Sequence, residues 1–583
     1  MDLCVVGGGL SGMCAAIAAA RGGSKVALIH DRPVLGGNAS SEIRMWICGA
    51  RETNNRETGI IEEIELTSLW RNPDKNYYIW DGILFEKIKN EPNITLLLNC
   101  SVCDAEMEGD TIRSVTGWQT TTQQWHRVEA TYFSDCSGDS VLAPLTGAEF
   151  RVGREGAKVF GEDTPLKESD RKTMGMSCLL QLRKSERPTK YIAPEWATKL
   201  SQELLNTRRP NMERSSENFW YLELGGNRDS IHDTEAVRDE LVALAYGMLD
   251  YIKNSGEVAD ADYWELDWMG FLPGKRESRR MMGPYVLTER DITMETPFDD
   301  TVAYGGWPMD NHHPDGFYHV GKPTTYGDTP SPYRIPYRCL YSVNIENLWF
   351  AGRNISTSHL AMSSTRVMAT CALLGEAVGT AANIAREFNL TPNGVYLEKI
   401  KLLQQRLMEN GCFLPYLKRE IADVCKAATL SCEGVEHLEN LRNGMDRNHF
   451  TYGEGDRRVT LAAGKAVTYT FEQPTVLENV HLNFDSDLDR DTLPGDQCER
   501  RHSMRANRNF DSPTMCMPKT LVKGYSLSAV TAEGETLLIA ETDCNLLGCV
   551  NFELPDRPLK SVSFIPHETW GSEDMKIFSF DVR

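Results

Sequence analysis

The chain opens with the stretch that decides its fold, Leu3-Cys4-Val5-Val6-Gly7-Gly8-Gly9-Leu10-Ser11-Gly12-Met13-Cys14-Ala15-Ala16-Ile17. A short apolar strand, a G-x-G-x-x-G turn and a small-residue helix, in this order, form the fingerprint of a dinucleotide-binding unit. The first glycine allows the tight turn, the second lets the backbone approach a pyrophosphate, and the third lets the helix pack on the strand. We therefore predict that Gly7, Gly9 and Gly12 form a phosphate-binding turn at the N-terminus of a helix.

The second predicted strand, Lys25 to Ile29, bears on the contact with the ribose. This run is short and apolar, as expected of a buried parallel strand. An acid that binds the ribose is expected about 20 residues after the glycines. Counted from Gly12, that position is occupied by His30, and the acid Asp31 follows one residue later. The sequence leaves the ribose contact open between these two residues.

Three later segments indicate which dinucleotide is bound. The loop after the second strand reads Leu35-Gly36-Gly37-Asn38-Ala39-Ser40-Ser41, and a Leu-Gly-Gly at this place resembles the FAD-binding domain of the glutathione-reductase type. The run from Tyr132 to Asp139 resembles a second strand-and-turn of that family. The third segment, Asn347 to Asn354 followed by a helical run from Ser363 to Ala382, resembles the strand and helix that close the FAD domain.

The resemblance implies a bound FAD, with the Leu-Gly-Gly loop beneath the pyrophosphate and the closing helix directed at the flavin N1–C2 carbonyl region. The FAD contacts it implies are Gly7, Gly9, Leu10, Ser11, Gly12, Asp31, Arg32, Gly37, Asn38, Ser40, Ser41, Val102, Ser137, Gly138, Asp139, Gly352, Arg353, Thr365, Arg366 and Val367.

The chain is also similar, over about residues 1–415, to a large group of bacterial FAD-dependent oxidoreductases. The matching pieces are 35–41, 273–280, 305–312, 335–338 and 352–356. This group is distantly similar to the flavin subunit of heterodisulfide reductases, and that similarity raises the question of an iron–sulfur cluster. The 16 cysteines here contain a single C-x-x-C, at Cys100 and Cys103, and no four-cysteine motif. We therefore expect no iron–sulfur cluster and no zinc, and predict reduced, structural thiols.

Composition indicates a multidomain enzyme rather than a nucleic-acid-binding protein. The 583 residues exceed what one core accommodates, and the net charge of −21 disfavours nucleic acid and anionic membranes as partners. No run of about 18 apolar residues predicts a bilayer span. The chain as written predicts a cytoplasmic protein, or a periplasmic one if a leader has been removed. A homo-oligomer is compatible with this composition.

The order of the motifs predicts the domain organisation. We expect an α/β Rossmann-like FAD-binding domain, an inserted α+β substrate or cap domain, and a C-terminal all-β jelly-roll sandwich. A second G-x-G-x-x-G is lacking, so the middle domain is predicted to be a cap rather than an NAD(P)H domain; its helices are expected near Ser201 to Asn206 and Asp233 to Lys253. The predicted ranges are 1–154 (FAD-binding, with a β-meander at about 104–131), 155–335 (cap), 336–385 (FAD-binding, closing part), 386–420 (helical linker) and 421–583 (sandwich).

The C-terminal sandwich is predicted from short strands at a spacing of about 8–12 residues, among them Ala427 to Ser431 and Asn440 to Arg447. Their order is similar to discoidin-like, galactose-binding jelly rolls, whose loops at one end bind carbohydrate. A structural or dimerising role is an equal alternative. The change of pattern near residue 420 predicts that this sandwich is separable from the rest of the chain.

Two segments of the cap and one residue beside the closing helix provide candidate catalytic groups. Pro273 to Gly283 contains four cations within six residues, which form either a solvated face or, with Arg279 as the candidate, an inward-facing substrate or charge-stabilising site. The loop Gly305 to Pro314 contains Asp310 and His312, and His359 directly precedes the closing helix. Histidine, with an ordinary pKa of about 6.5, suits general base catalysis.

The sequence thus predicts an FAD-dependent oxidoreductase that takes a hydride onto flavin N5 from a polar small molecule such as a sugar or polyol, while His312, His359 or Asp310 accepts the proton. Two alternatives remain open. One is a flavin-dependent reductase of an activated double bond, in which an arginine donates the proton. The other is a carbohydrate-binding protein that retains FAD for its structure.

Overall fold

The structure is a computed structural model that describes residues 1–205, 208–212, 217–505 and 512–583. The described residues form two compact units. The first unit contains Met1–Gly49, Asp74–Ile400 and the described part of His502–Ser512; the second contains Ala50–Pro73, Lys401–Arg501 and Pro513–Arg583.

The strands of the described residues are numbered in chain order. Those of the first unit are β1 (Leu3–Val6), β2 (Val26–Ile29), β3 (Ile94–Leu97), β4 (Cys100–Glu108), β5 (Thr111–Gln119), β6 (Gln124–Glu129), β7 (Tyr132–Asp135), β8 (Phe150–Arg151), β9 (Met176–Ser177), β10 (Leu180–Lys184), β11 (Glu223–Leu224), β12 (Trp264–Met269), β13 (Gly274–Lys275), β14 (Arg280–Met281), β15 (Thr301–Gly305), β16 (Met309–His312), β17 (Thr324–Gly327), β18 (Tyr333–Pro336) and β19 (Leu348–Phe350). Those of the second unit are β20 (Thr429–Ser431), β21 (Val459–Leu461), β22 (Val467–Thr475), β23 (Asn479–Phe484), β24 (Val522–Thr531), β25 (Thr536–Thr542), β26 (Cys549–Glu553), β27 (Leu559–Thr569) and β28 (Met575–Val582).

The α-helices are numbered in the same way. They are α1 (Leu10–Arg21), α2 (Ile60–Arg71), α3 (Tyr77–Lys89), α4 (Leu142–Thr146), α5 (Ala157–Phe160), α6 (Gln202–Leu205), α7 (Thr234–Asn254), α8 (Glu289–Thr293), α9 (His359–Thr365), α10 (Met368–Phe388), α11 (Pro392–Glu409), α12 (Asp423–Ala427) and α13 (Gln497–Arg501).

A five-stranded parallel sheet, in the order β19-β7-β1-β2-β3, organises the first unit. Val6 at the end of β1 is in register with Ile29 of β2 and with Asp135 of β7, and Asp135 is in register with Phe350 of β19. Parallel strands therefore end together at one edge of the sheet. The loops that follow these four strands, which carry most of the predicted FAD contacts, leave from this edge.

Helices α1 and α10 pack backbone to backbone in the first unit. A Cβ atom on Gly375 would lie 2.0 Å from the carbonyl oxygen of Ser11, and one on Gly379 would lie 2.2 Å from that of Ala15. Helix α10 is the one helix of the described residues that is long and apolar enough to cross a membrane, and 94% of that stretch is buried inside the protein. The small residues of both helices therefore serve close packing in the core.

The middle of the chain contains the two helices that the sequence predicts, together with several small antiparallel sheets. The helix predicted near Asp233 to Lys253 is confirmed as α7, which buries one apolar face in a core with residues of β9 to β11. The helix predicted near Ser201 to Asn206 is observed as α6, and Asn206 lies outside the described residues. The predicted meander is the antiparallel sheet β4-β5-β6.

The second unit contains two antiparallel sheets, β20-β22-β27-β24-β25 and β21-β28-β23-β26, with an apolar core. One expectation fails here and another holds only in part. The strand expected at Asn440 to Arg447 is wrong, since Leu438–Arg442 forms a 3₁₀ helix. Ala428 separates helix α12 from the short strand β20, so the strand expected at Ala427 to Ser431 is confirmed only at Thr429–Ser431.

The segment Ala50–Pro73 belongs to the second unit, whereas the sequence placed it in the FAD-binding domain. Leu66 and Leu69 of α2 are buried in the core of the two antiparallel sheets. On the same helix, Glu62 and Glu65 are buried and lie 3.3 Å and 3.8 Å from the guanidinium of Arg490. Helix α2 therefore supplies both apolar surface and the counter-charge for a buried arginine, and the second unit is not confined to residues after 420.

Candidate active site

A cavity of about 490 Å³, here called the main cavity, lies at the carboxyl edge of the parallel sheet in the first unit. This is the edge at which ligands bind in open α/β sheets, and the volume is that of a small-molecule site. Most of the predicted FAD contacts line it: Gly7, Gly9, Leu10, Ser11, Asp31, Arg32, Gly37, Asn38, Val102, Ser137, Gly138, Asp139, Gly352, Arg353, Arg366 and Val367. The other four, Gly12, Ser40, Ser41 and Thr365, are not among its lining residues.

The glycines of the first turn serve two different purposes. Gly7 has a φ of +108°, and a Cβ on it would lie 2.4 Å from the carbonyl of Cys136. A Cβ on Gly12 would lie 1.8 Å from the carbonyl oxygen of Gly7. A Cβ on Gly9, in contrast, would meet only the Cα of Gly37, at 3.9 Å. Gly9 therefore keeps space open on the cavity side, at the N-terminus of α1, as a pyrophosphate requires.

His30 is committed to the protein rather than to a ribose. Its Nδ1 accepts the backbone N–H of Gly8 at 3.0 Å, and its Nε2 donates to the carbonyl of Val34 at 3.1 Å. Burial lowers the pKa of His30 to about 4, so the ring is neutral at neutral pH. Asp31 lines the main cavity and its side chain is 62% exposed. Of the two residues, Asp31 is the one whose side chain is available to a ribose.

Asp139 joins two cations at the glycine-rich end of the main cavity. Lys275 and Arg353 donate to it at 2.8 Å and 2.7 Å, and Ser278 donates at 2.7 Å. Burial by itself would raise the pKa of Asp139, but Arg353 and Lys275 outweigh burial and lower the pKa to about 2. One carboxylate thus faces two cations, and the surplus positive charge suits a diphosphate. The donors and the open cradle fit FAD.

Asp310, on strand β16, lines the main cavity at the end formed by Arg276, Trp307 and Arg366, here called the cap side. Its Oδ1 accepts the hydroxyl of Thr324 at 2.6 Å, and its Oδ2 lies 3.2 Å from Arg366 Nη2 and 3.3 Å from His312 Nε2. Burial by itself would raise the pKa of Asp310, but His312, Arg366 and Thr324 together hold it well below its usual range. Asp310 is therefore ionised at neutral pH.

His312 lies between two carboxylates and away from the main cavity. Its Nδ1 is 2.5 Å from Glu223 Oε2 and its Nε2 is 3.3 Å from Asp310. Burial opposes the ionisation of Glu223, but Arg276 and His312 outweigh burial and lower its pKa. Residues 310 and 312 alternate with 311 along β16, so the pair shares one face of the strand.

His312 and His359 line a second cavity of about 340 Å³, here called the side cavity. Nδ1 of His359 lies 2.9 Å from the Glu277 carboxylate and its Nε2 lies 3.0 Å from Asn311 Oδ1. With both ring nitrogens held by protein groups, His359 ties α9 to β16. Of the predicted catalytic residues, Asp310 lines the main cavity, while the two histidines support the strand that carries it.

The cation-rich segment Pro273 to Gly283 is not a solvated face, since Arg276 and Arg280 are buried. Arg276 lines the main cavity, and its guanidinium donates to Ser177 Oγ at 3.0 Å and to the Trp220 carbonyl at 2.9 Å. Arg280 is buried and pairs with Glu155 and Glu277. Arg279, the predicted arginine, lies outside both cavities, with its guanidinium 5.4 Å from the ring of Phe150.

Sequence reasoning missed Arg276, Lys275 and Glu223 as site residues. Arg276 and Lys275 stand in the same basic cluster as Arg279, and the sequence gives no signal that separates them from it. Glu223 is 89 residues from His312 in the chain, and the sequence gives no signal for that pairing.

A family model described as FAD dependent oxidoreductase matches residues 2–407. No curated protein matches the chain. Among solved structures, the glycerol-3-phosphate dehydrogenase from Bacillus halodurans complexed with FAD is 13% identical, with a TM-score of 0.20, over 32% of this chain and 40% of that chain. The family 32 carbohydrate-binding module from Streptococcus pneumoniae EndoD is 14% identical, with a TM-score of 0.20, over 28% of this chain and 99% of that chain. THI4 from Thermovibrio ammonificans is 20% identical, with a TM-score of 0.20, over 28% of this chain and 70% of that chain.

Proposed function

Because the chain belongs to the FAD-dependent oxidoreductase family and has FAD as its cofactor, we propose that it is a dehydrogenase that oxidises a polar, hydroxyl-bearing small molecule such as a sugar or polyol. Bound FAD supplies the hydride acceptor for such a reaction. The observation that carries the proposal is the ionised carboxylate of Asp310 on the wall of the main cavity, backed by Arg366, His312 and Thr324.

Asp310 is suited to orient a hydroxyl group and to take its proton. An ionised carboxylate accepts a hydrogen bond from the substrate hydroxyl and fixes the direction of its C–H bond. As the hydride leaves, the substrate becomes a protonated carbonyl, which is a far stronger acid than a carboxylic acid. A carboxylate with a low pKa therefore still accepts this proton. Arg366 and His312 keep Asp310 ionised beforehand.

Hydrogen bonds between β16 and neighbouring side chains hold Asp310 in place. Strand β16 is fixed on one face by the contacts of His312 with Glu223 and on the other by the contact of Asn311 with His359. His359 is fixed in turn by Glu277, a buried residue whose carboxylate also receives the backbone N–H of Met174 at 2.9 Å. Such hydrogen-bonded support lowers the cost of holding a reactive group in its productive position.

We further infer that the parallel sheet has the Rossmann arrangement and that the second unit is a jelly roll of the discoidin class. The parallel order of β19-β7-β1-β2-β3 and the two antiparallel sheets of the second unit support these assignments. We also propose a cytoplasmic location. All 16 cysteines lie in the described part of the chain and are free thiols, as in proteins of reducing compartments.

An anaerobic screen tests the proposed function. Purified holoenzyme is mixed with sugars and polyols, and loss of the visible absorption of oxidised flavin is followed. The Asp310→Asn variant, which keeps the size of the side chain but not its charge, is the matched control. Bleaching by a member of the panel, slowed in Asp310→Asn, supports a dehydrogenase. If no compound bleaches the flavin, while an unsaturated acid reoxidises flavin reduced beforehand with viologen, the enzyme is a reductase instead.

A further inference from the structure

Glu162 is a buried acidic residue for which the described part of the chain provides no counter-charge. It is 6% exposed and lines the side cavity. Its Oε1 accepts the Ser358 hydroxyl and, at 2.7 Å, the backbone N–H of Glu289. Its Oε2 is not sealed from solvent, and among the described residues it has neither a hydrogen-bond nor an ion-pair partner. Acidic side chains are almost never buried unless they are paired, so this carboxyl group lacks a partner.

Other buried carboxyl groups nearby have a cationic partner. Glu155 and Glu277 both pair with Arg280, the former at 2.7 Å. At Glu162, burial raises the pKa, and the neighbouring carboxylates of Glu155 and Glu289 add to the rise. A cation at the open oxygen of Glu162 would offset these effects, because an opposite charge favours the ionised form.

The side cavity has the size and the walls of a small-molecule site. Its volume is about 340 Å³, which lies in the range of ligand pockets. None of its described lining residues is shared with the main cavity. His313 lines it with a side chain that is 39% exposed, so the cavity reaches the protein surface. Its apolar wall is formed by Pro165, Leu166, Pro314 and Leu360. A ligand therefore has both an entry and an apolar surface to cover.

Most basic side chains of the side cavity already have partners or are exposed. Arg154 Nε donates to Asp170 at 3.1 Å. The lining histidines of β16 and α9 contact protein carboxylates. Lys322 is exposed, so water and salt screen its charge. These groups therefore leave the open oxygen of Glu162 available to a cation from outside the protein.

We propose that the side cavity binds a small organic ammonium ion, with Glu162 Oε2 as the acceptor for its N–H group and the apolar wall against its carbon stem. An ammonium group and a carboxylate form a charge-assisted hydrogen bond, which is stronger than a neutral one. The site is separate from the main cavity, so its occupation does not depend on the proposed dehydrogenase function.

Three probes with the same carbon stem and different head groups test the site on the holoenzyme at neutral pH. They are butylamine, which is protonated because its pKa is close to the value of about 10.4 for lysine, neutral butan-1-ol and anionic butyrate. Saturation-transfer NMR and the thermal midpoint measure binding. We expect butylamine to bind saturably, with a Kd on the order of 1 mM for so small a ligand. Absence of butylamine binding, or equal or tighter binding of either other probe, overturns the proposal.

Variants locate the site. Glu162→Gln keeps an oxygen for the donors at Oε1 but removes the charge, and it should weaken butylamine binding by about 10-fold to 100-fold. Glu168→Gln, at an exposed residue of the same segment, is the matched control and should bind butylamine normally. Asp310→Asn tests the carboxylate of the main cavity and should also leave binding unchanged. Loss of binding in Asp310→Asn but not in Glu162→Gln would place the amine in the main cavity and overturn the proposal.

A second variant covers the case in which Glu162→Gln does not fold. Leu166→Trp enlarges a side chain of the apolar wall and should block the side cavity without changing the carboxyl group. FAD content is measured for each protein as a check of folding. Leu166→Trp with normal FAD content should lose butylamine binding, and unchanged binding overturns the proposal. Butylamine binding involves no flavin reduction, so failure of this site leaves the dehydrogenase function standing, and the reverse also holds.

Discussion

The backbone N–H of Gly8 donates to Nδ1 of His30 across 3.0 Å, so an imidazole from the end of β2 fixes the phosphate-binding turn that follows β1. The bond requires a deprotonated Nδ1. Desolvation keeps the ring neutral, with the pKa of His30 lowered to about 4. The glycine turn to which we assign the FAD pyrophosphate is thus held by a group that acid can protonate.

This relationship predicts an acid sensitivity with a definite sign. The folded pKa of His30, about 4, lies below the unfolded value of about 6.5. The contribution of neutral His30 to the free energy of unfolding is therefore fully present above pH 6.5. It is lost as the pH falls toward 4, by up to about 3 kcal/mol. We expect FAD release to become easier over the same interval. Equilibrium dialysis of FAD and chemical denaturation at a series of pH values measure the two effects.

His30→Asn is the matched variant, because the asparagine Oδ1 still accepts the N–H of Gly8 but does not titrate. Its stability curve should be flatter than that of the unmodified protein between pH 6.5 and pH 4. Parallel curves for the two proteins would show that other groups cause the acid sensitivity.

Gly9 should be essential for FAD binding but not for folding. A Cβ at Gly9 would meet only the Cα of Gly37, at an ordinary contact distance of 3.9 Å. Gly9→Asp is therefore expected to fold and to abolish FAD binding, since its carboxylate occupies and repels the site of the pyrophosphate. The milder Gly9→Ala should weaken binding. FAD released by acid from each purified protein is quantified, and an Asp variant with normal FAD content would contradict the prediction.

Asp310 should matter more for catalysis than either histidine. With a substrate found in the anaerobic screen, Asp310→Asn should slow flavin reduction by about 10²-fold to 10⁴-fold, the usual contribution of a general base. His359→Ala removes a support of β16, so we expect a smaller loss that His359→Gln partly restores. Stopped-flow flavin reduction measures these rates. A larger effect of His359→Ala than of Asp310→Asn would indicate that His359, rather than Asp310, is the general base.

The second unit should depend on helix α2. Leu66 is fully buried in the core of the two antiparallel sheets, and its replacement by Ala should destabilise this unit by about 2–5 kcal/mol. A fragment of residues 421–583 lacks α2 altogether and should expose apolar surface and aggregate. Thermal unfolding and size-exclusion chromatography test both. A monomeric, cooperatively folding 421–583 fragment would restore the boundary that the sequence predicts.

The sequence identifies residues that line the glycine-rich end of the main cavity, because that end is built by local motifs. Gly7, Gly9 and Gly37 are identified by their spacing from short apolar strands, and spacing along the chain determines their place at the sheet edge. The cap end is different. Asp310 and Glu223 both contact His312, which joins two strands far apart in the chain, β11 and β16, and no local pattern encodes that contact.

The lack of a local signal also explains why the predicted range 1–154 differs from the observed first unit, which excludes Ala50–Pro73. Helix α2 follows the first βαβ unit in the chain, and its burial pattern is not that of a one-sided surface helix. Buried Glu62 is paired with Arg490, more than 400 residues away, and buried Glu65 lies 3.0 Å from Arg56 as well as 3.8 Å from Arg490. Hydrophobic periodicity can be read from the sequence, but a counter-charge that lies far away in the chain, such as Arg490 for Glu62, cannot.

The assignment of α2 to the second unit has a consequence for how the chain is made. The helix leaves the ribosome early, whereas β28, the last strand of the core in which it is buried, is completed about 500 residues later. At about 5–20 residues per second, this is a wait of about half a minute to two minutes. During that time Leu66 and Leu69 lack their final partners, so the nascent chain offers chaperones a binding segment long before the second unit can close.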